Sequence, residues 1–305
     1  MKLLVCDPTD PQAVEKMREA GIEVDVRDDI TPEELEQTVA DYDALVVRSR
    51  TKVRAPLIDK ASRLKLIIRG GVGLDNIDVA YAESKGIEVR NTPAASSNSA
   101  AELTIGYLFA LARRIPQAAA SMKEGRWEKK AFSKGIELAG KTLGVIGLGR
   151  IGSLVAQKAH ALGMEVLFYR RTPTRVEYAT QVSLDELLAR SDFISLHVPH
   201  TPETHHLVDA QAIAKMKDGV YIINCGRGGT IDEQALYEAV RSGKVAGAAL
   251  DVFEDEKEEQ GRRFRDLPQV ICSPHIGAGT VEATERVGAE VAQIAIEVAH
   301  RLTTA

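Results

Sequence analysis

The sequence predicts an α/β protein made of two doubly wound parallel-sheet domains. Three observations carry this expectation. Short β-branched runs alternate with amphipathic segments along almost the whole chain. Each gap between runs is long enough for the crossover helix that parallel strands require. The runs also fall into two sets, separated by a long helical pattern. A chain of 305 residues is ample for two cores.

The first set of runs is KLLVCD from Lys2, IEVDVR from Ile22, ALVVRS from Ala44, LKLIIRGG from Leu64 and IEVRNTP from Ile87. Amphipathic stretches such as PQAVEKMREA and TPEELEQTVAD lie between them. In the second, Thr31 reads as an N-cap, Pro32 as N1, and Glu34 completes a capping box. A seam follows at NTPAASSNSAAELTIGYLFALARR. Pro93 and its small polar neighbours read as loop, and from Ala100 the spacing of Leu103, Tyr107, Leu108 and Leu111 predicts a long helix. The second set is TLGVIGL from Thr142, EVLFYR from Glu165, FISLHVP from Phe193, VYIINC from Val220, AGAALDVF from Ala246 and VICSPHI from Val270. The last segment, VEATERVGAEVAQIAIEVAHRL, is helical with one packed side. The acidic run from Glu254 to Glu259 reads as a solvated loop.

Bulk composition narrows the function. A net charge of −5 argues against a general nucleic-acid or membrane-surface binder, while small charged substrates stay open because a site is local. Cys6, Cys225 and Cys272 form no CxxC and no zinc spacing, so no metal is expected and the sparse set suits a reducing compartment. Leu3-Leu4-Val5 is too short for a signal peptide or membrane span, which makes the cytoplasm the expected location.

Gly147-Leu148-Gly149-Arg150-Ile151-Gly152 directly follows the run TLGVI and opens the helical segment SLVAQKAHAL. In that context GxGxxG is the dinucleotide fingerprint of the Rossmann fold. One glycine makes the turn, one lets the pyrophosphate approach the backbone, and one packs helix on strand. NAD-binding versions carry Asp or Glu about 20 residues further on. Here Tyr169 ends the strand and Arg170 stands in that place, followed by Arg171, Thr172 and Arg175. Guanidinium groups match phosphate bidentately, so the cofactor is NAD(P)(H) and Arg170 leans toward the 2′-phosphate of NADP. NAD beside solvated arginines is the alternative.

Three charged residues follow the ends of later runs: Arg227 in IINCGRGGTID, Glu256 in ALDVFEDE and His275 in ICSPHIGAGT. Strand C-terminal ends share one crevice in a doubly wound sheet, so these residues can converge. The trio suits hydride transfer to or from a 2-hydroxy acid. Histidine, with an unperturbed pKa near 6.5, takes the hydroxyl proton. A carboxylate on its other nitrogen fixes the tautomer, and arginine holds the substrate carboxylate. Glu254 is a rival to Glu256 as that carboxylate, and the residues alone leave the two open.

The stretches RSRTKV, RGGVGLDNIDV, NTPAASSNSAAEL, MKEGRWEKKAF, GKTLGVIGLGRIG, LHVPHTPET, INCGRGGTIDE, GAALDVFEDE and SPHIGAGT span almost the whole chain. They resemble the D-isomer-specific 2-hydroxyacid dehydrogenases, and within that family the phosphoglycerate dehydrogenase branch. The resemblance implies that Arg227, Glu256 and His275 are catalytic. It implies that Gly71, Val72 and Gly73 form the substrate-carboxylate loop; Arg48, Ser49 and Arg69 at neighbouring strand ends are expected to bind substrate beside it. It implies cofactor contacts from Arg150, Ile151, Val198, Pro199, Cys225, Gly226, Gly277 and Ala278, and a nicotinamide carboxamide contact from Asp251. It also implies a flavodoxin-like substrate domain of residues 1–95 plus 280–305, with a Rossmann cofactor domain of residues 96–279 inserted. Hinges are then expected near residues 93–99 and 277–283. Pairing into homodimers through the cofactor domains follows too, with Lys129 or Lys130 near the partner's substrate.

The sequence departs from the family pattern at Arg170, where Asp is usual, at Lys257, where Pro is usual, and at Gly279, where Ser is frequent. An end near residue 305 leads to the expectation that no C-terminal regulatory domain follows. Arg48, Lys52, Arg50 and Arg54 after ALVVRS, with Arg69 after the next run, read as a cationic group favouring 3-phosphoglycerate. A glyoxylate or hydroxypyruvate reductase is the nearest alternative, and a dinucleotide-sensing corepressor-like binding protein is the alternative of another class.

Overall fold

The structure is a computed structural model that describes residues 1–256 and 263–304. Lys257, Glu258 and Glu259 of the acidic run lie outside the described residues. The chain divides into two compact units, Met1–Ser96 with Ala278–Ala305, and Ser97–Gly277.

The first unit holds one parallel sheet of β1 (Lys2–Val5), β2 (Glu23–Val26), β3 (Ala44–Val47), β4 (Leu66–Arg69) and β5 (Glu88–Asn91), in the order β2-β1-β3-β4-β5. This is the flavodoxin-like order of a doubly wound sheet. Its central strands β1, β3 and β4 are apolar at successive positions because both faces are covered. Leu3, Val5, Val46 and Ile68 pack with Met17 of α1 (Pro11–Glu19) and with Val287, Val291 and Val298 of the C-terminal helix Val281–Thr304. Leu4, Leu45, Val47 and Ile67 face the other way. They pack with residues of α2 (Pro32–Thr38), α3 (Ala55–Lys60) and α4 (Val79–Ser84). A Cβ at Gly288 would lie 2.6 Å from Asp10 Cβ, so only glycine lets the C-terminal helix approach the start of α1 this closely. The Thr31 capping box forms reciprocally: Glu34 N donates to Thr31 Oγ1 at 3.2 Å, and Thr31 N donates to Glu34 Oε2 at 3.1 Å.

The second unit holds a seven-stranded parallel sheet in the order β12-β11-β10-β9-β6-β7-β8. Its strands are β6 (Thr142–Ile146), β7 (Glu165–Tyr169), β8 (Thr180–Gln181), β9 (Phe193–Leu196), β10 (Val220–Asn224), β11 (Val245–Leu250) and β12 (Val270–Cys272). The chain moves outward from β6 to β7 and β8, then restarts on the other side of β6 at β9. That reversal is the Rossmann switch point. Helices α5 (Ser97–Arg113) and α7 (Arg150–Ala161) cover one face. Helices α8 (Leu184–Arg190), α9 (Ala210–Lys215) and α10 (Glu233–Ser242) cover the other. Strand β8, two residues long, has no signal in the sequence. Helix α5 starts at Ser97, before the expected Ala100, because Ser97 and Ser99 are both buried and packing overrides their loop propensity. Arg114, at φ 54°, breaks α5 from α6 (Ile115–Lys123), whose Pro116 cannot continue the preceding helix. Among the described residues, no helix is long and apolar enough to cross a membrane.

Two members of the expected cationic group are held in structural ion pairs. Arg50 Nε donates to Asp7 Oδ1 at 2.9 Å, and its Nη1 donates to the Ile30 carbonyl at 3.0 Å. Arg54 Nη1 donates to Asp78 Oδ1 at 2.8 Å, and Nη2 to the Asp75 carbonyl at 2.9 Å. The reason is local: acidic groups on neighbouring loops lie within hydrogen-bonding distance of both side chains. Asp7 is 1% exposed and also accepts from Arg48 N at 2.5 Å and Thr51 Oγ1 at 3.0 Å. Four donors therefore converge on one buried carboxylate, counting Thr51 N at 3.3 Å. Asp7→Ala would strand them and is expected to cost about 3 kcal/mol. A urea midpoint unchanged from wild type would contradict this.

Candidate active site

The second unit carries most of the expected site residues at the C-terminal ends of its strands. Gly147 closes β6 at φ 97°, and a Cβ there would meet the His197 carbonyl oxygen at 2.8 Å. A Cβ on Gly152 would sit 2.1 Å from the Gly147 carbonyl oxygen, so α7 presses directly on the turn. A Cβ on Gly149 would meet nothing within 4 Å. Space therefore remains above the backbone exactly one residue before the helix. Gly149 is the N-cap of α7 and supplies no side-chain cap, leaving the first-turn N–H groups of Arg150 and Ile151 for an anion. These features fit a dinucleotide pyrophosphate.

A cleft of about 410 Å³ adjoins this turn, lined by Gly147 and Gly149, by Tyr169 at the end of β7 with Arg170 and Arg171 after it, and by Val198, Pro199 and Glu203 after β9. The volume lies in the range of small-molecule sites. Arg170 and Arg171 make no ion pair within 4 Å among the described residues. The far wall carries an opposing charge. The Thr201 hydroxyl donates to Glu203 Oε2 at 2.7 Å, and this bond, with a smaller contribution from Arg171, holds the Glu203 carboxyl below its usual range.

Arg227, Glu256 and His275 follow β10, β11 and β12, three adjacent strands. His275 Nδ1 lies 2.9 Å from Glu256 Oε2. Glu254 is engaged elsewhere: its Oε1 lies 2.9 Å from His206 Nε2, and its backbone N–H donates to Glu233 Oε1 at 2.7 Å. Glu254 and Glu256 are therefore committed to different histidines: Glu254 to His206 and Glu256 to His275. Arg227 sits on a loop pinned by buried Asn224, whose Nδ2 donates to the Arg227 carbonyl at 2.9 Å and whose Oδ1 accepts from Gly226 N at 3.0 Å.

His275 itself has φ 52°, a left-handed conformation uncommon for a side-chain-bearing residue. Asp251, 1% exposed, holds it there. His275 N donates to the Asp251 carbonyl at 2.9 Å. Asp251 Oδ1 accepts from Ile276 N at 2.8 Å and from the Ser273 hydroxyl, and Oδ2 accepts from Gly277 N at 2.7 Å. A carboxylate offers about four lone-pair positions, so one on Oδ2 remains for a ligand N–H. Cys225 turns its thiol into the core, where burial pushes it up to about 12. Ala278 begins the return to the first unit.

In the first unit, Arg69 Nη2 donates to Ser49 Oγ at 3.2 Å, and a Cβ on Gly71 would fall 1.5 Å from Arg69 Nη1. Gly71, at φ 144°, is thus required for the backbone to pass that guanidinium. The neighbouring Val72 carbonyl accepts from Asn91 Nδ2 at 2.6 Å, and Gly73 follows it in the same partly exposed loop. Arg48 is half-buried and forms no ion pair among the described residues. Lys129 and Lys130 are exposed in the irregular stretch after α6.

Sequence reasoning missed His197, Ser273 and Tyr107. The last reads only as an apolar helical position, and nothing in the sequence reports its contact across the sheet end. His197 lines the cleft; its Nε2 lies 2.8 Å from Ser195 Oγ, while Nδ1 is out of solvent without a hydrogen-bond partner. Burial lowers its pKa from the ordinary 6.5 to about 4. Between those values the unfolded chain takes up a proton that the folded one refuses, so stability is full above pH 6.5 and falls as the pH drops. By pH 5 the loss reaches about 2 kcal/mol. His197→Gln is expected to flatten the fall in urea midpoint from pH 7 to 5; an equally steep fall would refute the assignment.

The model of the D-isomer specific 2-hydroxyacid dehydrogenase NAD binding domain matches residues 105–277. The D-3-phosphoglycerate dehydrogenase of Methanocaldococcus jannaschii is 51% identical over 298 residues, covering 96% of this chain and 56% of that protein. The chain thus spans little more than half the length of such relatives. The hydroxypyruvate reductase of Thermotoga maritima is 51% identical over 296 residues and is covered to 95%, as is this chain. The crystal structure of D-lactate dehydrogenase from Aquifex aeolicus, complexed with NAD and lactic acid, superposes with a TM-score of 0.86 at 36% identity, covering 96% of this chain and 94% of that one. With the nucleotide turn and the His275–Glu256 pair in place, the chain belongs to the D-isomer specific 2-hydroxyacid dehydrogenase family.

Proposed function

We propose that the chain catalyses reversible hydride transfer between 3-phosphoglycerate or 3-phosphohydroxypyruvate and a nicotinamide cofactor. The observation that carries this reading is the His275–Glu256 pair, 2.9 Å apart on loops after neighbouring strands of a dinucleotide-type sheet. The bound nicotinamide supplies or accepts the hydride. The chain does the rest. His275 Nε2 takes the hydroxyl proton during oxidation and returns it during reduction. Glu256 fixes the ring so that Nε2 is the exchanging nitrogen. Arg227 holds the substrate carboxylate. The remaining lone pair on Asp251 Oδ2 would hold the carboxamide N–H of a bound nicotinamide.

In this reading the second unit is the cofactor domain, and two copies pair through it as a homodimer in the cytoplasm. The first unit is the substrate domain. Its Arg48, Ser49, Arg69 and Gly71–Gly73 serve the anionic substrate, with Arg48 assigned to the phosphate.

A second reading is hydroxypyruvate reduction. One observation favours it: Arg50 and Arg54 are engaged in ion pairs, which reduces the charge offered to a phosphate. The full-length similarity to the Thermotoga maritima hydroxypyruvate reductase points the same way.

A panel of phosphohydroxypyruvate, hydroxypyruvate and glyoxylate, each with NADH and NADPH, separates the two readings. The phosphorylated substrate is expected to show the highest kcat/KM. Arg48→Ala should raise its KM about tenfold, a loss near the 1.4 kcal/mol of a charged hydrogen bond, with little change for hydroxypyruvate. Equal losses on both substrates would remove the phosphate assignment. Absence of turnover on all three, with cofactor still bound, would remove the enzyme reading.

Cofactor choice is tested separately. Arg170 supports binding of a 2′-phosphate, and Glu203 on the opposite wall moderates it. Arg170→Asp is expected to move the ratio of NADPH to NADH affinity about tenfold or more toward NADH. An unchanged ratio in fluorescence titration would assign Arg170 to solvent.

A further inference from the structure

The loop that carries His275 is tied to helix α5 by a chain of hydroxyls that the hydride-transfer reading does not use. Tyr107 lies on α5 and is 7% exposed. Its hydroxyl is hydrogen-bonded to the Ser273 hydroxyl, which in turn donates to Asp251 Oδ1. The direction of the chain follows from proton count. Serine has one hydroxyl proton, and an ionised carboxylate can only accept. Ser273 therefore gives its proton to Asp251, and Tyr107 is the donor to Ser273 Oγ. Burial pushes the Tyr107 phenol up to about 12, so it keeps that proton at neutral pH.

Asp251 is the group that grips both sides of His275, through Ser273 before it and through the N–H groups of Ile276 and Gly277 after it. With its single proton given to Asp251, Ser273 Oγ keeps lone pairs that can only accept. The phenol of Tyr107 fills one of them, so the oxygen is held from two sides. The phenol is delivered from a helix packed in the core beside Leu108 and Leu111, so its position is set independently of the loop.

We infer that Tyr107 is a positioning residue for His275, acting through Ser273 and Asp251 to hold the left-handed backbone that aims the imidazole at Glu256. The effect on turnover rests on the proposed function, in which His275 moves the proton; the effect on the imidazole does not.

The test uses the full chain and the variants Tyr107→Phe, Ser273→Ala, Ser273→Thr and the Tyr107→Phe/Ser273→Ala double. Two readouts are taken: steady-state kinetics with NADH or NADPH, and the imidazole nitrogen shifts of His275 by long-range proton–nitrogen correlation, identified with His275→Gln. Tyr107→Phe keeps the ring in the core. It is expected to lower kcat about tenfold, short of the roughly hundredfold that a full 1 Å misplacement brings. Cofactor dissociation constants should stay within about twofold, a change below 0.5 kcal/mol. The His275 Nδ1 shift should move away from its hydrogen-bonded value. Ser273→Ala should do the same, the double should be no worse than the poorer single because both break one chain, and Ser273→Thr should recover most of the rate. Unchanged imidazole shifts in Tyr107→Phe, or additive losses in the double, would overturn the inference. Should Tyr107→Phe not fold, the contrast between Ser273→Ala and Ser273→Thr decides alone: equal shifts and rates in the two would overturn it. Wild-type protein without turnover would instead count against the proposed function, and the imidazole shifts would still decide the role of Tyr107.

Discussion

The buried carboxylate of Asp251 is the constraint on which the rest of the site depends. Strand β11 ends at Leu250, so Asp251 is the first residue past the sheet, where ladder hydrogen bonding stops. Its backbone N–H still pairs with the Asn224 carbonyl at 2.9 Å, and its own carbonyl receives His275 N. Its side chain then takes up the donors on both sides of His275. A buried charge without donors is expensive. The same donors that stabilise Asp251 are the ones that bend the next loop into a left-handed turn. Stabilising the carboxylate and aiming the histidine are therefore one event.

The pattern recurs one strand over. Asn224, 2% exposed at the end of β10, pins the loop that carries Arg227 just as Asp251 pins the loop that carries His275. The candidate site residues on this sheet thus sit on loops, while buried polar residues at strand tips fix those loops. That arrangement gives precision without placing charges inside the sheet, where both faces are apolar.

Charge near a strand end does not by itself identify a binding group. Arg50 and Arg54 follow β3 directly, yet Asp7 and Asp78 claim them. Arg170 and Arg171 follow β7, and no carboxylate within 4 Å does the same to them among the described residues. The difference is geometric. The β3 loop packs beside acidic neighbours after β1 and before α4, whereas the β7 end opens onto a cleft whose lining acid, Glu203, follows β9.

The sequence by itself determined the two sheets, their parallel sense, and the glycine turn between β6 and α7. Runs of apolar residues with crossover spacing admit few other arrangements, and Gly147 and Gly152 occupy positions where any Cβ would collide. It also placed Arg227, Glu256 and His275 after strands, because strand ends are visible as the point where apolar runs stop. Only tertiary structure decided which carboxylate meets His275, which arginines are consumed by ion pairs, and that Tyr107 reaches Ser273 across 166 residues of chain. Pattern in a sequence reports local backbone state, and these outcomes depend on the direction of single side chains between elements that no local pattern relates.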